Sequence, residues 1–168
     1  MSSSSLSALI SRVEEGRGPD VQLESLVWRI LVAKEGDVWV QFEDRWLRRD
    51  PSDLVAYDSA PAILTRFDDA LAVFREVLPG WWWRGGTCWV SSECRICPDH
   101  GSPEHAERLM HAFPPAVDVW NEGLEVELRP GSDETLARAM VSAILRVSAL
   151  VSCNALGQGR GEREPDDP

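Results

Sequence analysis

The stretch Thr65-Arg66-Phe67-Asp68-Asp69-Ala70-Leu71-Ala72-Val73-Phe74-Arg75-Glu76-Val77-Leu78-Pro79-Gly80-Trp81-Trp82-Trp83-Arg84 constrains the fold more than any other, because a helix signal, a stop and a strand signal follow one another directly. Phe67, Leu71, Phe74 and Leu78, with Ala70, Val73 and Val77, recur near a period of 3.6 and line one side of a helix. Thr65 stands where its hydroxyl can take a first-turn N–H, while Asp68 and Asp69 complement the positive helix end. Pro79-Gly80 then ends the helix, since proline cannot continue it and glycine accepts the reversal. Neighbours on a strand face opposite sides, so Trp82 should project away from Trp81 and Trp83. With both sheet faces covered all three are core; with one face open, the odd indole joins an exposed aromatic patch suited to a protein interface.

The flanking chain supplies further helices and strands. Leu6, Leu9, Ile10 and Val13 predict a first helix near residues 4 to 15, broken by Gly16-Arg17-Gly18-Pro19. Asp20 can cap a second, with Leu23, Leu26, Val27, Ile30 and Leu31 on its apolar side. From Asp37 the period changes to two: Val38, Val40 and Phe42 alternate with Trp39, Gln41 and Glu43 as in a half-buried strand. Trp46-Leu47-Arg48-Arg49 extends that strand or pairs beside it, Asp50-Pro51-Ser52-Asp53 is turn chemistry, and Tyr57 to Pro61 reads as an irregular link.

After the central helix, Trp81 to Val90 reads as a strand that Gly85-Gly86 bends, bulges or folds into a hairpin, and Ser91 to Ile96 as a second. A loop over Pro98 to Pro103 and a short helix over Glu104 to His111 follow. Leu124, Val126 and Leu128 alternate with Glu125, Glu127 and Arg129, an amphipathic strand with a charged outer side. Pro130-Gly131-Ser132-Asp133 turns into a last helix that packs through Leu136, Met140, Ala143, Ile144, Val147, Leu150 and Val151. These elements predict an α+β fold, a small, mainly antiparallel sheet layered with helices, in a single domain over residues 1 to 156. The stretch 157 to 168 has almost no apolar content and reads as a disordered acidic tail.

The resemblance carried by Thr65, Asp69-Ala70-Leu71, Val73, Pro79-Gly80-Trp81 and Trp83, preceded by Leu9-Ile10-Ser11-Arg12-Val13-Glu14-Glu15-Gly16-Arg17-Gly18-Pro19-Asp20, is to phage and prophage proteins with the phage ABA sandwich domain. With the closing helix it covers roughly residues 5 to 150, the span of one domain. It implies a fold and a viral or prophage origin. It implies no catalytic residues.

Charge and leader sequence narrow the function classes. A net charge of -11 over 168 residues opposes direct nucleic-acid binding, which depends on clustered Lys and Arg. The start Met1-Ser2-Ser3-Ser4-Ser5-Leu6 has no basic head or long apolar core, and the longest apolar run, Ala139 to Val151, falls short of the about 20 residues that span a bilayer. A cytoplasmic place in a bacterial host and no membrane partner are therefore expected.

The residues richest in chemistry are Cys88, Cys94, Cys97 and His100, with His105 and His111 beyond. Cys94-x-x-Cys97 can present two thiolates to one zinc from a tight turn, and Cys88 or His100 can complete a tetrahedron. No second matched pair accompanies it, so ordinary partly buried thiols are the simpler expectation and no cofactor is required. A Cys97 nucleophile with His100 or His105 as base, oriented by Asp99 or Glu104, is the one enzymatic arrangement available, and such close spacing along a loop rarely holds a preorganised geometry. Gly157-Gln158-Gly159-Arg160-Gly161 lies in a polar tail without the strand and helix that a phosphate loop needs.

The function expected from these residues is that of a non-enzymatic accessory protein acting through contacts with a protein partner. Trp82, Trp39, Trp46, Glu125 and Glu127 are its candidate interface residues, and homo-oligomers are compatible with them. One alternative is an acidic inhibitor that occupies the basic groove of a host nucleic-acid-binding defence protein. Another is a zinc-stabilised module or cysteine-dependent enzyme built on residues 88 to 111.

Overall fold

The last helix, rather than the one at the centre of the sequence, sits in the middle of the molecule. The structure is a computed structural model that describes residues 3–49, 57–103 and 122–157. In chain order the helices are α1 (Ser3–Glu15), α2 (Val21–Val32), α3 (Phe67–Val77) and α4 (Asp133–Gly157). The strands are β1 (Trp39–Phe42), β2 (Arg45–Arg49), β3 (Tyr57–Ser59), β4 (Trp81–Thr87), β5 (Ser92–Pro98) and β6 (Leu124–Leu128). This is the expected α+β class.

In α4 every residue from Leu136 to Leu145 is buried, including Arg138 and Ser142. The expected packing face through Met140, Ala143, Ile144 and Val147 is core, and so is the opposite side through Ala137, Val141 and Leu145. A helix apolar all round is a middle layer. Here β5 and β6 pack on it, as do α1 and α3, while α2 lies between α3 and β2.

The strands form two three-stranded antiparallel sheets, β1-β2-β3 and β4-β5-β6. Trp46 to Arg49 pairs beside β1 rather than extending it, and Tyr57 to Ser59, read as irregular link, is the third strand. Gly85 and Gly86 neither bulge nor turn β4, because the register continues unbroken from Trp81–Pro98 to Thr87–Ser92. A Cβ on Gly85 would lie 2.1 Å from Glu93 O, so the close backbone approach requires glycine there.

Helix ends follow cap chemistry with one exception. Asp20 caps α2, its Oδ1 accepting from Leu23 N–H at 2.9 Å. Ser132 and Thr135 cap α4 reciprocally: Ser132 Oγ accepts from Thr135 N–H at 3.1 Å, and Thr135 Oγ1 from Ser132 N–H at 2.8 Å. Thr65, expected to cap the central helix, does not. Its hydroxyl turns back to Ala62 O at 3.4 Å, and Arg66 holds the cap position without a side-chain bond. The expected turn at 50–53, the helix at 104–111, and the tail from residue 158 on lie outside the described residues.

Candidate interaction surfaces

In the first sheet, side-chain size decides which face is covered. Trp39 meets Trp28 of α2 edge to face, with ring centroids 5.1 Å apart. The Arg29 guanidinium sits 3.6 Å from the Trp46 ring centroid, and Arg48 lies 5.3 Å from that of Trp28. Indoles gain more from burial than valines do and attract the guanidinium groups that α2 and β2 supply. Trp39 and Trp46 therefore point toward α2, and the side chains alternating with them point outward.

That outward face inverts the alternation expected from sequence. Val38, Val40, Phe42 and Tyr57 remain 48%, 38%, 55% and 46% exposed. Register brings them together: Val40 lies opposite Leu47 and Leu47 opposite Ser59, while Arg49 stands opposite Tyr57. The result is a half-exposed apolar grid with Arg45 and Arg49 among its members. A strand has only two faces, so seating the indoles inward turned the whole apolar set out.

The second sheet behaves as its sequence suggests. Trp81 is buried, Trp83 packs edge to face on Phe67 at 4.9 Å, and Trp82 projects to the other side, half exposed. The Trp82 indole N–H donates to Pro98 O at 3.1 Å. Glu125 and Glu127 share that outer side but are not a bare acidic strip. Arg95 lies 3.7 Å from Glu125 and Arg129 3.3 Å from Glu127. Interspersed charges of both signs make a solvated face.

Sequence reasoning missed Trp89. The sequence suggests a strand running through it to Val90, but β4 ends at Thr87, and Trp89 stands 89% exposed in the connection to β5. A tighter reading of the hairpin, with Cys88-Trp89-Val90-Ser91 as its loop, would have found it.

Cys88, Cys94 and Cys97 are spread along one hairpin. Cys94 and Cys97 lie on β5 rather than in a turn, and residues three apart on a strand point to opposite faces. Cys94 packs inward against Met140, Sγ to Sδ 3.7 Å, and burial pushes its thiol pKa up to about 12. Cys97 pairs with Trp82 at the far end, six residues from Cys88, which is about 20 Å of strand. One ion cannot reach Cys88, Cys94 and Cys97 together. Among the described residues no group of three His, Cys, Asp or Glu side chains is placed to hold a metal. His100 is exposed in the turn after β5, and His105 and His111 lie outside the described residues.

Cys88 is exposed, and the N–H groups of Ser91 and Val90 hold its thiol below the ordinary value. It borders a cavity of about 290 Å³ lined by Gly85, Gly86, Thr87, Ser91 and Glu93. A second, of about 230 Å³, is lined by Arg12, Gln22, Leu26, Gln41, Asp44 and Trp46. The first sits at the lower end of typical small-molecule sites of about 300–1,000 Å³ and the second below it. Among the described residues no helix is long and apolar enough to cross a membrane. Comparison with protein-family models, with curated proteins and with solved structures finds no match for this chain.

Proposed function

We propose that this chain is a phage or prophage accessory protein that acts by binding another protein rather than by catalysis, and that the outward face of the first sheet is its contact surface. The observation that supports this most is the adjacency of Val38, Val40, Phe42 and Tyr57 on a face over which, among the described residues, no helix or strand is layered. Contiguous exposed apolar groups are uncommon on proteins that act alone and mark places of contact. Of the five residues expected at an interface, Trp82 keeps that potential. Trp39 and Trp46 instead serve as the support that fixes the contact face, and Glu125 and Glu127 carry arginine partners. Those ion pairs weaken the case for an acidic inhibitor that imitates phosphate. The viral setting rests on the sequence resemblance through Thr65 to Trp83 and is tested by the genes that flank this one. A photo-crosslinking residue at position 42, compared with one at exposed Glu15 on α1, tests the surface. A discrete covalent adduct in cells from position 42 alone is expected; adducts from neither position, or equally from both, reject it.

A further inference from the structure

We infer that a second copy of this chain docks on this face, joined antiparallel through β1 to the partner's β1 across a twofold axis at Val40. The inference rests on the interaction reading above and names its partner.

One free edge lacks side-chain protection. Among the described residues the two sheets have four edge strands, β1, β3, β4 and β6. Proteins blunt such edges with charge, proline, shortness or bulges, because their unpaired N–H and C=O groups template another strand. Among these edges β3 is only three residues long and carries Asp58, β4 carries Arg84 and the pair Gly85-Gly86, and β6 carries Glu125 and Glu127. β1, Trp39-Val40-Gln41-Phe42, one residue longer than β3, carries no charge, proline or glycine pair.

Backbone polarity restricts how that edge can pair. Arg49 N–H donates to Val38 O at 2.9 Å, which makes Val38–Arg49 a hydrogen-bonded pair. Such pairs alternate along an antiparallel ladder, so Val40 and Phe42 also direct their backbone groups to β2, and Trp39 and Gln41 turn theirs to the open side. An added antiparallel strand must match outward groups with outward groups.

Among the registers this allows to two identical copies, the centred one is best. It sets Trp39 opposite the partner's Gln41, and Gln41 opposite the partner's Trp39, as hydrogen-bonded pairs. On the outer face Val40 meets the partner's Val40, and Val38 and Phe42 each meet the partner's Phe42 and Val38. All three exposed apolar side chains of each copy then find an apolar partner. Sliding by one residue per copy in either direction leaves one of the three without such a partner. An isologous contact needs this kind of self-complementary surface, which the centred register supplies without any further segment.

The contact is small. Two four-residue edges with one apolar row bury less than the about 1,200 Å² at which standard interfaces begin, which places the contact among weak, transient ones, with a dissociation constant of roughly micromolar order as the working expectation. Being built from backbone bonds and apolar contact, it survives about 0.5 M salt, which screens exposed ion pairs.

Sedimentation velocity from about 2 to about 200 µM, a range that brackets this affinity, should follow a monomer–dimer equilibrium. Val40→Lys should weaken it at least about tenfold by placing like charges at the axis. Val21→Lys, at a residue 51% exposed on α2, should leave it unchanged. Register is read by cysteine pairing under mild oxidation in a background carrying both Cys88→Ser and Cys153→Ser, which itself should give no covalent dimer. Non-hydrogen-bonded opposite positions lie about 4.5 Å apart at Cα, within disulfide reach. Val40→Cys should therefore form a covalent dimer, Val38→Cys alone should not, and adding Phe42→Cys to Val38→Cys should restore it. A chain monomeric at 200 µM, or one in which Val38→Cys cross-links as readily as Val40→Cys, overturns the inference. If the monomeric chain still captures a different protein through a probe at position 42, self-pairing fails and the interaction reading stands. If dimer and adduct are both absent, both fail.

Discussion

Arg138 Nη2 donates to the carbonyl oxygen of Gly18 at 2.7 Å, tying the middle of α4 to the linker between α1 and α2. Nη1 donates to Val13 O at 3.0 Å and Nε to Glu134 at 3.2 Å, while Glu134 accepts from Gly18 N–H at 2.5 Å. The guanidinium is fully buried, so these partners replace the water it has lost. Arg138→Ala leaves the Val13 and Gly18 carbonyls and the Glu134 carboxylate without it. Breaking a buried pair from one side costs about 3–5 kcal/mol, and urea denaturation should show a loss of that order.

Gly16 is set by the same guanidinium. A Cβ there would lie 2.6 Å from Arg138 Nη1 and 2.8 Å from Arg12 O, and the second neighbour is backbone that cannot swing aside. Gly16→Ala should cost about 1–3 kcal/mol as overpacking, although alanine is ordinarily the better helix former. In the Arg138→Ala background its cost should shrink, which a double-mutant cycle measures.

Glu24 gives stability an unusual pH dependence. Burial raises its pKa above the ordinary 4.5, against the lowering effect of the Leu64 N–H bonded to Oε1 at 3.2 Å and of Arg138, while Asp20 and Asp69 raise it further. A carboxyl that holds its proton more tightly when folded stabilises the fold while protonated. That contribution is lost as pH rises from 4.5 through the folded value. Glu24→Gln keeps an oxygen for Leu64 and cannot ionise. Its stability relative to the parent should increase from pH 4 to pH 7, read by urea midpoints at both; a difference independent of pH would contradict the assignment.

Much of this architecture was legible in the sequence because one local rule decided each case. Asp20 capping α2, the alternation of Leu124, Val126 and Leu128, and the opposed direction of Trp82 all follow from a period or a single cap. The failures share a cause, which is competition between distant segments. The alternation of Val38, Val40 and Phe42 identified a strand, but which face is covered depended on Trp28 and Arg29 of α2 meeting Trp39 and Trp46. The face of α4 through Met140 was readable, whereas burial of its other side required knowing that α1 and α3 close over it. Cys94-x-x-Cys97 suggested a metal turn because spacing does not reveal whether the residues lie on a loop or a strand. The candidate contact face was hidden for the same reason, since it consists of residues that look like core.

Thiol reactivity should separate the described cysteines without any mutation. Cys88 is exposed with its pKa lowered by the Ser91 and Val90 N–H groups, Cys97 is buried, and Cys94 is buried with its pKa pushed up to about 12. The thiolate is the reacting form. At pH 7.5, iodoacetamide followed by peptide mass mapping should modify Cys88 before Cys97, and Cys94 only after unfolding. Metal analysis of the same preparation should find less than one zinc per chain, because Cys94 and Cys97 face opposite ways; labelling of Cys94 together with Cys97 in the native protein would contradict that geometry.

The turn between β1 and β2 contains a residue that its backbone does not suit. Glu43 has φ 52° in the two-residue connection between Phe42 and Arg45, and no other non-glycine among the described residues has positive φ. An L side chain there crowds its own carbonyl at a cost of about 1–2 kcal/mol, which glycine does not incur. Against this stands the Glu43–Arg45 ion pair, 3.9 Å long with side chains 68% and 44% exposed, a kind of contact that contributes almost nothing in water. Glycine also loses more freedom on folding, which offsets part of the gain. Glu43→Gly should therefore stabilise the protein by about 0.5–1 kcal/mol. Glu43→Val, β-branched and poorly suited to positive φ, should destabilise it by about 1 kcal/mol. Since position 43 follows β1 directly, both variants should leave the cross-linking of Val40→Cys intact; a stabilised Glu43→Gly that loses the cross-link would mean that the turn, not the strand edge, makes the contact.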